Sequence, residues 1–481
     1  MRKTARTVLY AAVLALFASS LSPAQTLRLL AVGNLDGSRD GSLTDLSGLT
    51  YNLENGAPAN LLGGLGSALT WSSGNTFLAL PDRGPNALVF DAHIDNTVSY
   101  INRFLTITMH LKPNKDADGL PFTLSPHMQA TTLLWSSKPL VYGTGTGLGV
   151  GSGVPPINNL LQNFFTGRSD GFDPSHNSGN PSDARLDSEG LRVSNDGLKV
   201  YVSDEYGPYV YEFDRFTGMR LRSFSLPASF YVSVLEPIGS TEISSNTSGR
   251  VANKGMEGLA ITPDGTTLVG IMQNSLIQDG GSSGKLLRIV TIDIASGKVT
   301  GQFGYLLTVG SGVSEICALN NHEFLVDERD GTGREANTPP QNSTNAKIKQ
   351  LFKIDLKNAT DISGLDNGSM TLTQAKSAAV PKTLFLDIVK SLTAPSLGSN
   401  AFALDHIPSK IEGVTFGPDV RDREGKVTLH TLWIGNDNDF VIDVNDASGN
   451  PILNPSQFFV FGFTDADLGG SVFVPQEFED Q

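Results

Sequence analysis

The chain has 481 residues, 39% hydrophobic and 17% charged, with a net charge of −14. Such acidity disfavours nucleic acid and anionic membranes as partners, and the only cysteine, Cys317, excludes an internal disulfide. One hydrophobic core usually stops growing at roughly 250 to 300 residues, so a chain of this length is expected to bury its apolar residues in repeated units.

Taken in order, Arg2, Lys3 and Arg6 precede an apolar run at 8–17, and Ser22-Pro23-Ala24 supplies small residues before Gln25. This is the pattern of a cleaved signal peptide, and its apolar run is too short for a bilayer anchor. The expected division is a signal peptide at 1–24, cut near Ala24, and a single propeller domain at 25–481. The product is expected to be secreted or periplasmic, without membrane insertion. Loss of the three cations takes the net charge from −14 to −17.

The run at 27–32 is predicted to be a strand sharing one blade with the closing run at 457–463, since closing a ring removes exposed edges. A repeat follows. Ser188-Glu189-Gly190-Leu191 and Met256-Glu257-Gly258-Leu259 each open a strand, pass an Asp-Gly turn and enter a second strand. Ser314-Glu315-Ile316 keeps the plan without the glycine, and Ile411-Glu412-Gly413-Val414 has a longer hairpin. Ala68-Leu69-Thr70-Trp71 looks like a worn copy, ending at Asp82-Arg83-Gly84, with one further sheet expected around 103–109. Four strands and their turns need roughly 40 to 50 residues, so the wider spacings hold one blade plus a loop insertion. The predicted fold is all-β, a β-propeller of about six blades, with seven also compatible.

The residues at 187–191, Val202-Ser203-Asp204-Glu205-Tyr206-Gly207-Pro208, and 253–259 with Pro263-Asp264-Gly265 resemble the phytase-like family, described as having esterase-like activity of phytase. Its later motifs are matched at 324–329, 410–414 and 436–440. The resemblance covers about 68–440 and implies a secreted bacterial propeller. Two departures stand out: Asp327 precedes Glu328 where an apolar residue is more usual, and the run at 436–439 is unusually acidic.

Equivalent strand starts would gather Glu189, Glu257, Glu315 and Glu412 at one end of a central channel. Two carboxylates about 4 Å apart repel by about 1 kcal/mol in water and about 4 at an effective dielectric near 20, so protons, basic neighbours or a cation must offset them. Oxygen donors with no nearby histidine or cysteine favour Ca²⁺, with Mg²⁺ second. The candidate metal ligands are Glu189, Glu257, Glu315, Glu412, Asp204 and Asp437. Glu257, Glu412 and His406 are the candidate catalytic groups. Arg83, Lys254, Arg329 and Lys410 are candidates for holding an anionic substrate. The same glutamates could instead tie blades together through backbone N–H groups and these cations.

Gly280-Gly281-Ser282-Ser283-Gly284 fits G-x-S-x-G but lacks the strand-to-helix setting of a nucleophile elbow and is read as a loop. Tyr206 and Tyr209 could line a substrate mouth or pack across strands. Two functions fit: a metal-dependent hydrolase of phosphate or other esters, acting as a monomer on a small anionic substrate, or a non-catalytic propeller that binds a ligand or partner.

Overall fold

The computed structural model describes residues 27–35, 43–85, 90–116, 118–143, 147–334 and 342–479; the expected signal peptide lies outside them. Strand β1 (Arg28–Leu35) leaves at once for the last sheet. Blade 1 is β2 (Ala68–Ser73), β3 (Thr76–Leu80), β4 (Arg103–Pro113) and β5 (Phe122–Leu133). A two-stranded ribbon, β6 (Trp135–Ser136) with β7 (Asn163–Phe164), leads to blade 2: β8 (Ser188–Val193), β9 (Lys199–Asp204), β10 (Tyr209–Asp214) and β11 (Arg220–Ser225).

Blade 3 is β12 (Met256–Ile261), β13 (Thr267–Met272), β14 (Leu286–Asp293) and β15 (Lys298–Leu306). Blade 4 is β16 (Gly312–Ala318), β17 (Glu323–Arg329), β18 (Lys349–Asp355) and β19 (Lys382–Asp387). Blade 5 begins with β20 (Ile411–Arg421) and β21 (Val427–Asn436), passes a small ribbon of β22 (Asp443–Asn445) and β23 (Pro451–Leu453), and resumes at β24 (Ser456–Phe463). Its outermost strand is β1, antiparallel to β24, with Leu29 opposite Phe461 and Val32 opposite Phe459. The two ends of the described chain therefore close one sheet, as expected, and leave no unpaired seam.

The inner strands form a closed circuit: β2 lies beside β8, β8 beside β12, β12 beside β16, β16 beside β20, and β20 beside β2. The propeller thus has five blades, not about six. The difference arises at 103–109, which is not a separate sheet but the third strand of blade 1, antiparallel to β3 across a long insertion. The described residues of 134–187 add no sheet of their own beyond the β6–β7 ribbon, isolated bridges and loops.

Side-chain alternation along the strands builds one apolar layer per blade interface. Phe459 and Phe461 face blade 4 with Leu325, Leu351 and Leu386, whereas Phe458 and Val460 face blade 1 with Leu69, Phe77 and Ile107. Leu259 and Ile261 likewise pack on blade 2, and Ala260 on blade 4. Packed on both faces, β8 and β12 have no exposed residue, and the polar side chains they carry, Ser188, Glu189 and Arg192 in β8 and Glu257 in β12, are buried with the apolar ones.

The Glu-Gly signature also has a packing cause. A side chain at Gly258 would put its Cβ 2.7 Å from the Ile316 nitrogen, and one at Gly413 would lie 2.8 Å from the Leu69 nitrogen. Successive inner strands approach so closely that the residue after each of these glutamates has no room for a side chain.

Candidate functional site

Because neighbouring strands are antiparallel, each inner strand begins where the second strand of its blade ends. That end of the channel carries the acids. Glu189, Glu257 and Glu412 come from strand starts, while Asp82, Glu205, Asp437 and Asp439 follow or flank the ends of β3, β9 and β21; Asp187 immediately precedes β8. All eight are nine-tenths or more buried.

They form three overlapping triads whose carboxylate oxygens lie within 4.8 Å of one another: Asp82, Asp187 and Glu189; Glu189, Glu205 and Glu257; and Asp82, Asp437 and Asp439. The third already holds a cation. The Lys410 ammonium is 2.8 Å from Asp437 Oδ2 and also pairs with Asp439. Although burial opposes it, this ammonium holds Asp437 below the usual carboxylate range. In the other two triads, Arg83 donates to Asp187 Oδ2 at 2.9 Å, and Arg329 approaches Glu257 only to 4.0 Å. Among the described residues, one buried oxygen each of Asp187, Glu205 and Glu257 has no hydrogen-bond partner.

Burial, then the charge of Glu257, pushes Glu189 and Glu205 well above the carboxylate range. Burial raises Asp82 to about 8, with Asp437 next in effect. Glu412 is pushed up to about 8 by burial, against the pull of Arg329, which pairs with it. The site therefore has more negative charge than its own cations offset. Its donors are all oxygens, a set that fits a hard cation such as Ca²⁺ or Mg²⁺ and not a soft one.

The structure sorts the candidate residues. Glu189, Glu257, Glu412, Asp437, Arg83, Arg329 and Lys410 meet at this mouth. Lys254 is half-buried next to Asn253, which accepts from Arg83 and adopts a left-handed conformation (φ 55°). Glu315 lies elsewhere: its Oε1 accepts from the backbone N–H groups of Ile316 (2.9 Å) and Leu259 (3.0 Å), and its Oε2 stands 3.0 Å from Arg192. It ties blade 3 to blade 4 and is in none of the triads. Asp204 is likewise a turn residue, accepting from the amides of Asp187, Tyr206 and Gly207 at 2.9 to 3.0 Å. His406 is exposed in a short helical turn, and no side-chain hydrogen bond or ion pair among the described residues links it to the acids. Tyr206 and Tyr209 are buried packing residues, and the Gly280–Gly284 segment holds one 3₁₀ turn, Gly281–Ser283, just after another at Ile277–Asp279, with no nucleophile elbow.

Five contributors escaped the candidate set: Asp82, Asp187, Glu205 and Asp439, which stand in the quoted runs, and Arg192, one residue beyond the run at 187–191. Glu205 and Asp187 flank Asp204 and Glu189, and only the direction of each side chain separates ligand geometry from turn chemistry. Arg192 lies three residues along β8 from Glu189. Its guanidinium donates to the carbonyls of Leu69 (3.1 Å), Leu191 (2.6 Å), Ile316 (3.0 Å) and Val414 (3.2 Å), bridging four blades across the channel below the acids. Glu328, from the acidic strand end at 327–329, faces away and binds Lys382, the Tyr305 hydroxyl (2.6 Å) and the Val309 and Gly310 amides.

Among the described residues no helix is long and apolar enough to cross a membrane. An uncharacterized secreted protein from Arthroderma benhamiae is 32% identical over 228 residues, covering 38% of this chain and 44% of its own length, so the chain spans less than half of that relative. Among solved structures, a gluconolactonase from Xanthomonas campestris matches with a TM-score of 0.28 at 11% identity, covering 83% of this chain and 86% of its own. A luciferin-regenerating enzyme matches with a TM-score of 0.29 at 9% identity, covering 87% and 97%. These structural likenesses are too distant to bear on the chemistry. The model of the phytase-like family, described as esterase-like activity of phytase, matches residues 60–440, and the chain belongs to that family.

Proposed function

We propose that the protein is a secreted hydrolase of phosphate esters or other esters that depends on a divalent cation, Ca²⁺ first and Mg²⁺ second, held at the acidic mouth of the channel. The observation that carries this is the triad of Glu189, Glu205 and Glu257: three buried carboxylates within 4.8 Å, with, among the described residues, unpartnered oxygens on two of them and no basic group in hydrogen-bond range of that set. A bound cation there would polarise a substrate oxygen and lower the pKa of a water. Glu189, Glu205 and Glu257 would hold it. Arg83 and Arg329, whose side chains keep 14% and 15% of their surface exposed, and half-buried Lys254 would orient an anionic group from the solvent side. Lys410, Asp437 and Glu412 would order the floor, Glu412 as a carboxyl able to carry a proton near neutral pH.

Secretion is supported by the amino-terminal sequence and by the secreted fungal relative. A small anionic ester and a monomeric enzyme complete the proposal, with neither nucleic acid nor membrane as partner.

A non-catalytic binding propeller is favoured by a different observation: Glu315, Glu412, Asp437 and Asp439 all pair with the chain's own cations or amides. Metal analysis of the purified protein, with phosphomonoester and carboxylester hydrolysis measured with and without chelator, separates the two. Bound metal and chelator-sensitive turnover are expected. No metal and no turnover leaves the binding module, and a Glu257→Gln variant that keeps full metal content and activity removes this triad as the site.

A further inference from the structure

We infer that the mouth is a two-cation centre, with Glu189 as the shared ligand and a phosphate group as the anion that bridges the pair. This rests on the reading that the acids hold a divalent cation. Glu189 belongs to both triads that lack a lysine: Glu205 and Glu257 complete one, Asp82 and Asp187 the other. Each has its own unsatisfied donor. Glu205 and Glu257, 1% and 3% exposed, each bury an unpartnered oxygen in the first, and Asp187, 0% exposed, buries an unpartnered Oδ1 in the second, its Oδ2 being taken by Arg83. Asp82 Oδ1 accepts from the Gly84 amide at 2.9 Å.

Charge points the same way. The five acids of the two triads carry five negative charges when ionised, and two divalent cations with Arg83 supply five positive ones; a single cation leaves two uncompensated in a buried site. The triad of Asp82, Asp437 and Asp439 adds no third ion, because Lys410 occupies it. A pair of cations a few ångströms apart is the arrangement that clamps two oxygens of one phosphoryl group, whereas a carboxylic ester offers a single carbonyl oxygen. Arg329, 4.0 Å from Glu257 and with 15% of its side chain exposed, is placed to meet a remaining oxygen.

Metal content per chain after dialysis, calorimetric titration with Ca²⁺, and the electron paramagnetic resonance spectrum of the Mn²⁺-loaded protein test this without a turnover assay. Two ions per chain and an exchange-coupled Mn²⁺ spectrum in the wild type are expected. Asp82→Asn should lower the stoichiometry to one and uncouple the spectrum, Glu205→Gln should do the same through the other triad, and inorganic phosphate should bind the loaded wild type more tightly than either variant. One uncoupled ion in the wild type overturns the pair while leaving the single-cation hydrolase standing. No ion at all overturns both. The wild-type spectrum decides the matter even where a variant fails to fold.

Discussion

The guanidinium of Arg192 stands 3.0 Å from the carboxylate of Glu315, and both are buried at the centre of the ring. Arg192 donates to carbonyls of blades 1, 2, 4 and 5, while Glu315 accepts an amide of blade 3. Together they join all five blades on the axis. Arg192→Met should therefore cost about 3 to 5 kcal/mol, the range for stripping one partner from a buried ion pair, read as a lower denaturant midpoint. Glu315→Gln keeps an acceptor for the backbone amides, so it should cost less and leave the metal content unchanged. Loss of metal from Glu315→Gln would return that residue to the ligand set.

Gly258→Ala should destabilise the ring by about 1 to 3 kcal/mol, the usual cost of overpacking. Its Cβ would meet the Ile316 nitrogen at 2.7 Å and the Glu315 Cα and carbonyl carbon at 2.9 Å, all backbone atoms that cannot rotate away. Gly331→Ala, where a Cβ meets nothing within 4 Å, is the control and should melt like the wild type.

The fold was largely legible because close approach of inner strands imposes Glu-Gly and two-sided burial imposes apolar runs, and both are written in residue types. Blade number was less legible: Arg103–Pro113 reads equally well as the start of a sheet or as the third strand of one, and only pairing with Thr76–Leu80 decides. Within the site, Glu189 and Glu257 could be placed by repetition. Asp204 and Glu205 could not be told apart, since adjacent residues at a strand end point in different directions. Arg192 left no signal, because its partners are mostly carbonyl oxygens, which any sequence supplies.

Asp327 is fully buried, and neither of its carboxyl oxygens has a hydrogen-bond partner among the described residues. Burial raises it to about 8, against the pull of Arg329 and Lys349. A carboxyl whose folded pKa exceeds its unfolded value binds more protons when folded, so its stabilising contribution is full below about 4 and is lost as pH rises through about 8. The metal-free protein should lose stability over that window, and Asp327→Asn, which cannot ionise, should show a shallower fall. Equal slopes for the two proteins in denaturant titrations at pH 5 and pH 8 would assign the dependence to other acids.

Lys410→Met should remove the ammonium that pairs with Asp437 and Asp439 in the triad they form with Asp82. The three carboxylates then repel in a buried site, so the melting temperature should fall, and fall further at pH 8 than at pH 5, where protons relieve the repulsion. Added Ca²⁺ should restore part of the loss by taking the vacated place. A variant that melts like the wild type at both pH values and ignores Ca²⁺ would show that the ammonium does not balance these acids.

The opposite end of the channel is closed by the C-terminal segment. The Val474 amide donates to the Leu319 carbonyl at 2.8 Å and the Glu479 amide to the Asn195 carbonyl at 2.9 Å, so the segment spans blades 4 and 2. Phe473 packs tilted against Phe416 with ring centroids 4.6 Å apart, and Phe478 meets Trp71 edge-on at 5.4 Å. Beneath it lies a cavity of about 40 Å³ lined in part by Arg192, Cys317, Phe473 and Gln476. Cys317 is 3% exposed, and burial pushes its thiol up, so it should be inert in the folded protein. A chain ending at Gly470 should open this floor without touching the acidic mouth. Cys317 should then react with a thiol reagent under native conditions while the metal content holds, and the full chain should react only on unfolding. A thiol that stays silent in the shortened, folded chain would show that something other than this segment seals the channel.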